Sequence, residues 1–244
     1  MLRSSRELIG YVLNAKDGSI GRVKDFYFDD EAWLIRYMVA DTGTWLLGRK
    51  VLIIPDMLCE PDWSRHIFPV KLTKDQIKKS PSIEKEKPVS RQNEIELLDF
   101  YGWAPYWATT GTAVQAAIPT LLPRSVIKRG KIDPHLRSIR EVTGYNIHAT
   151  DNGIGHVDDF IVDDKWWAIR YMVIDTRNWL PGKKVLISPD WIERVHWEER
   201  TVHINHDRET IKNSPEFDPS EPVNRECECR LYDYYGRPKY WEKR

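Results

Sequence analysis

Carboxylates recur along this 244-residue chain at spacings that suit metal binding or proton transfer. Asp25, Asp29, Asp30 and Asp41 form one set; Asp159, Asp163, Asp164 and Asp175 form another. Clustered oxygen donors hold Ca²⁺ or Mg²⁺, and paired carboxylates divide general acid and base roles. The plainer reading is structural: these groups end strands and neutralise Arg36 and Arg170, which sit inside apolar runs where a charge needs a partner. The cross-strand pairs expected are Asp25–Arg36 and Asp159–Arg170. Soft ligands also occur. His203 and His206 with Cys227 and Cys229 would supply four zinc-type donors, but in an unfamiliar spacing, so exposed histidines and packed thiols are the simpler expectation. No metal and no cofactor is expected. The sequence has no phosphate loop, nucleophile elbow, HExxH or GxGxxG motif, and it reads as a protein without catalysis.

The elements that must position these residues come in two copies. Residues 1–110 align with residues 135–244 at a constant offset of 134, without a gap. From Gly10 to Asp56 and Gly144 to Asp190 about 60% of positions are identical, so the chain is an internal duplication. No histidine recurs: His66 lies in the first copy, and His135, His148, His156, His196, His203 and His206 lie in the second. A duplicated histidine site is thereby excluded. The expected domains are residues 1–110 and 135–244, joined by a linker at 111–134. That linker carries Pro119, Pro123 and Pro134, which oppose a long helix.

Within one copy, strands are expected from Leu8 to Asn14, Ile20 to Phe28, Trp33 to Asp41, Lys50 to Ile54 and Ile67 to Leu72, with turns at Asp17-Gly18 and Asp29-Asp30. In the second strand Ile20, Arg22, Lys24, Phe26 and Phe28 should share one face. Thr73 should cap a short helix that buries Ile77, and a further helix should carry Ile95, Leu98 and Tyr101 and stop at Gly102. Short strands between turn signals describe a small barrel or sandwich. The fold class expected is mainly β, with two small barrels at about residues 5–72 and 139–206. Each is followed by a helical and aromatic extension, at 73–110 and 207–244.

The run Asp17-Gly18-x-Ile20-Gly21-x-Val23-x-Asp25, then Asp29-Asp30, the Trp33–Asp41 strand and Lys50-Val51-Leu52-Ile53-x-Pro55, resembles the PRC-barrel family. The second copy carries the same pattern through Asp151, Ile154-Gly155, Val157, Asp159, Asp163-Asp164 and Val185-Leu186-Ile187. That family's barrel is shared by the cytoplasmic part of the photosynthetic reaction-centre H subunit and the C-terminal domain of a ribosome maturation factor. The extension resembles that of stand-alone bacterial proteins with this domain. The resemblance implies protein docking without catalysis. Unlike those two proteins, this sequence shows neither a membrane helix nor an additional N-terminal domain.

Composition narrows the partners. Lys and Arg number 37, as do Asp and Glu, so the net charge is zero. Nucleic-acid binders carry a basic excess, so no nucleic acid is expected. No run approaches the ~18 apolar residues of a membrane span, and three cysteines give no disulfide framework; a cytoplasmic protein is expected. Aromatic residues are the expected docking groups, eleven of the 244 residues being Trp. The candidates are Trp45 and Trp179 in turns, with Trp103, Tyr106, Trp107, Tyr240 and Trp241 in the tails. Each tail is alternatively expected to pack on a barrel, because small barrels need covering surface. The leading expectation is a cytoplasmic adaptor or scaffold that docks other proteins, built as an internal pseudo-twofold dimer and open to homo-oligomerisation. The alternatives are a small-ligand or metal sensor using a cleft between barrels, and, by analogy of fold, a ribosome-associated or reaction-centre-type assembly factor.

Overall fold

The computed structural model describes residues 1–46, 48–81, 91–103, 105, 135–176 and 183–242. Among these the chain is mainly β, with thirteen strands and six short α-helices. It divides into two compact units. Unit 1 comprises Met1–Gly10, Asp25–Arg36 and Arg137–Arg244; unit 2 comprises Tyr11–Lys24 and Tyr37–Leu136.

In unit 2, β2 (Val12–Ala15) pairs antiparallel with the first half of β3 (Gly18–Asp29) and parallel with β6 (Ile67–Pro69). β4 (Leu34–Asp41) pairs with β5 (Lys50–Ile53), setting Met38 against Ile53 and Asp41 against Lys50. Leu13, Phe68, Tyr37, Met38 and Ile53 are wholly buried between these strands. Helix α2 (Lys74–Lys79) starts in a reciprocal capping box: Thr73 accepts from the Gln76 amide while the Gln76 side chain accepts from Thr73. It buries Ile77. Helix α3 (Arg91–Tyr101) buries Leu97 and Leu98 and stops at Gly102, whose φ is +68°.

In unit 1, β9 (Gly153–Asp163) is the hub. Its first half pairs with β8 (Asn146–His148), its length with β10 (Ala168–Asp175), and its end with β1 (Leu2–Ser4). β11 (Lys184–Ile187) extends the sheet on β10, and β13 (Thr201–Ile204) lies parallel to β8, with β12 (Ile192–His196) beyond it. β7 (Leu136–Ser138) pairs with β3. The helices are α1 (Ser5–Leu8), α4 (Ile139–Val142), α5 (Arg208–Asn213) and α6 (Arg225–Tyr234). Phe26, Phe28, Phe160, Val162 and Tyr171 are fully buried. Each such side chain contributes ~1.5–3 kcal/mol by leaving water.

Two expectations need correction. The segment from Leu8 does not continue into a strand: Ser4 accepts a hydrogen bond from the Glu7 amide and caps a helical turn, so the strand starts only at Val12. The even alternation of Ile20 to Phe28 also breaks, because Ile20, Val23, Phe26 and Phe28 are all buried. The pairing with β2 shifts register between Leu13 and Asn14, and Gly21 takes a φ of +138°. A bulge there changes which residues face inward. Glycine is required at this bend, since a Cβ on Gly21 would lie 2.0 Å from the Asp41 carbonyl oxygen; Gly155 repeats the contact with Asp175.

Candidate functional site

The recurring carboxylates are occupied by the fold's own donors. Asp29 accepts the Glu31 and Ala32 amides and binds Arg36 at 3.0 Å. Asp163 likewise accepts the Lys165 and Trp166 amides and pairs with Arg170 at 3.4 Å. The expected pairs Asp25–Arg36 and Asp159–Arg170 are thus corrected: each arginine takes the aspartate four residues further along the same strand. Asp25 and Asp159 are claimed by segments remote in sequence. Asp25 accepts from the Ser138 hydroxyl at 2.5 Å and the Arg140 amide at 3.2 Å. Asp159 accepts from the Ser4 and Ser5 hydroxyls and the Arg6 amide.

These contacts are reciprocal under the 134-residue offset, and all lie within unit 1. Arg137 binds Asp30 at 2.7 Å as Arg3 approaches Asp164 at 3.7 Å. The Ile35 amide donates to the Trp167 carbonyl at 2.7 Å, and the Ile169 amide to the Trp33 carbonyl at 2.8 Å. Leu34 faces Ala168, its own counterpart. Trp33 and Trp167 both adopt positive φ, 55° and 52°, a conformation bulky residues avoid. Each then lends its carbonyl to the other copy's strand.

A second arrangement escaped sequence reading. In unit 1 the Tyr171 and Tyr240 hydroxyls each donate to buried Glu228 at 2.8 Å, and Arg225 binds the same carboxylate at 2.8 Å. In unit 2 Tyr37 donates to buried Glu94 at 3.1 Å. These pairs fasten α6 and α3 to their sheets. Burial, then the Glu228 charge, pushes the Tyr171 hydroxyl far above its ordinary value; burial and the bond to Glu228 push Tyr240 up to about 12. Neither tyrosine is poised to give up a proton near neutrality. The available signal was a glutamate kept at one position of the same helix in both copies, Glu94 and Glu228.

The aromatic candidates separate. Tyr240 and Trp241 fold back on α6, with Trp241 5.2 Å from Tyr232. Arg170 lies 4.3 Å over Tyr240, and Arg225 4.1 Å over Trp241. Trp103 stacks on Tyr101 at 4.1 Å. Trp45 lies in the 3-10 turn Gly43–Leu46, but its side chain, like Trp179, Tyr106 and Trp107, lies outside the described residues. Trp166 was not a candidate, yet it is 64% exposed in the turn between β9 and β10. The first copy has Ala32 there.

Histidine partners also differ from those expected. His203 stacks on His148 at 5.2 Å and meets His196 edge-on at 5.3 Å. His206 packs 4.7 Å from Tyr235 and 6.4 Å from Trp191. Burial, with Arg194 and the two neighbouring histidines, holds His203 below its ordinary value. The set His203, His206, Cys227 and Cys229 is therefore not gathered, and all three thiols are free. Among the described residues, His156, Asp158 and Asp175 are the three ligand-type groups whose donor atoms lie within 4.8 Å of one another. Lys184 and Arg6 already bind Asp158, at 2.6 and 3.0 Å. Burial alone would raise this carboxyl, but those two cations hold it below the usual range. A further cation would compete with both. A cleft of about 290 Å³ is lined by Asp190, Trp191, Arg237 and Pro238.

The class that these strands define is a mainly β protein with short helices. More particularly, the family model of the PRC-barrel domain matches residues 134–211, from the last linker residue into the second copy. No curated relative matches the chain. No helix among the described residues is long and apolar enough to cross a membrane.

Proposed function

We propose that the chain is a cytoplasmic, non-catalytic docking protein in which two PRC-type barrels are fused as a pseudo-twofold pair. The reciprocal Ser4–Asp159 and Ser138–Asp25 contacts support the pairing. The exposed indole of Trp166 carries the docking reading. Tryptophan covers a large apolar area at small entropic cost and is enriched where partners bind most tightly. Lys165 lies 5.0 Å over the ring and gives the patch a cationic edge, so the partner surface expected is apolar with an acidic rim. The test is gentle purification from native cells of wild-type and Trp166→Ala protein side by side. A stoichiometric partner lost from the variant, at unchanged melting temperature, supports the reading. A partner retained by the variant, or no partner, overturns it.

A further inference from the structure

We propose that His148 and His203, with His196 beside them, bind a divalent transition-metal ion on the outer face of β8, β13 and β12. The rings occupy three neighbouring strands. His203 is directly in register with His148 across the parallel pair, and its own neighbours Val202 and Ile204 are buried. Ile147 and Ala149 flanking His148 are buried too, so the His148 and His203 imidazoles project on the face opposite the core.

Two imidazoles can share one tetrahedral zinc ion when their nitrogens stand about 3.3 Å apart, given Zn–N bonds of ~2.0–2.1 Å. The His148 and His196 rings lie 5.2 and 5.3 Å from the His203 ring, centroid to centroid, so binding requires side-chain rotation that brings the nitrogens to this spacing. Three nitrogen donors with a remaining open position suit Zn²⁺, and Cu²⁺ or Ni²⁺ share the same chemistry. Arg194 lies opposite His203 in the register, but it is exposed and its long stem lets the charge turn into water. The first copy supplies an internal control: the equivalent positions are Asn14, Pro69 and Asp62. The property belongs to the second copy alone, and Asn is tolerated at the His148 position of this architecture.

The experiment is calorimetric titration of the untagged full chain with Zn²⁺, with nitrogen chemical shifts of the histidine rings recorded in parallel. One equivalent is expected to bind and to shift the His148 and His203 ring signals. His148→Asn should weaken binding by about tenfold or more, at least the loss seen when an outer-shell partner is removed. His203→Asn should behave alike. Absence of saturable binding overturns the proposal. So does binding that survives both substitutions together, or binding abolished by His156→Asn instead, which would place the ion beside Asp158 and Asp175.

Discussion

Asp25 and Asp159 occupy the same position of the two copies yet meet different surroundings. Asp159 receives both Ser4 and Ser5, but the counterpart of Ser5 is Ile139, so Asp25 receives one hydroxyl fewer. Burial raises the Asp25 carboxyl above its ordinary 3.8, against the bonds from Ser138, Arg140 and Phe26. Asp159→Ala should destabilise the protein by on the order of 3 kcal/mol, since buried donors lose their acceptor, and Asp25→Ala by less. Urea unfolding measures both, and the reverse order would refute the account. The pH dependence of Asp25 has a definite sign. Just above 3.8 the unfolded chain holds fewer protons than the native state, so this residue lowers stability as pH rises through that window. Across that window the unfolding free energy of Asp25→Asn should rise relative to that of the wild type. None of this was legible locally. Asp25 and Asp29 lie an even number of residues apart on one strand, so periodicity cannot say which meets Arg36. The deciding partner, Ser138, is 113 residues away.

At the scale of elements, local chemistry was most legible where it is self-contained. The Thr73 cap, the helix carrying Ile77 and the Gly102 stop all follow from a few adjacent residues. The attachment of the helices was not legible, because Tyr171 and Glu228 are 57 residues apart. Likewise His203 meets His148 only because β13 runs parallel to β8, a pairing that no short motif encodes. Glu228→Ala would leave two tyrosine hydroxyls without their acceptor, a loss on the order of 3 kcal/mol, while Arg225, 54% exposed, turns to water. It should speed amide hydrogen exchange selectively in α6. Glu228→Gln keeps an acceptor and should restore most protection. Equal acceleration in β9 would mean that Glu228 serves the sheet rather than the helix.

For the whole molecule, the duplication was plain in the sequence, but the interleaving was not. Unit 1 takes Met1–Gly10 and Asp25–Arg36 from the first copy and Arg137–Arg244 from the second. If the copies are related by a pseudo-twofold, as proposed above, residues 135–244 alone carry the aspartate, the capping serine and the strand end needed to satisfy a second copy of themselves. Sedimentation equilibrium of that fragment should find a homodimer, and a folded monomer would refute the relation.

The antiparallel pairing of Leu2–Ser4 with Ile161–Asp163 also sets a timetable for biosynthesis. The first strand emerges from the ribosome long before its partner exists. At ~5–20 residues per second the intervening chain takes on the order of 10–30 s to make. During that interval the backbone of Leu2–Ser4 is hydrogen-bonded only to water and open to strands of neighbouring nascent chains. Slowing elongation between codons 10 and 150 would lengthen this exposure, whereas the hairpin of β2 and β3 can close as soon as its own residues clear the tunnel.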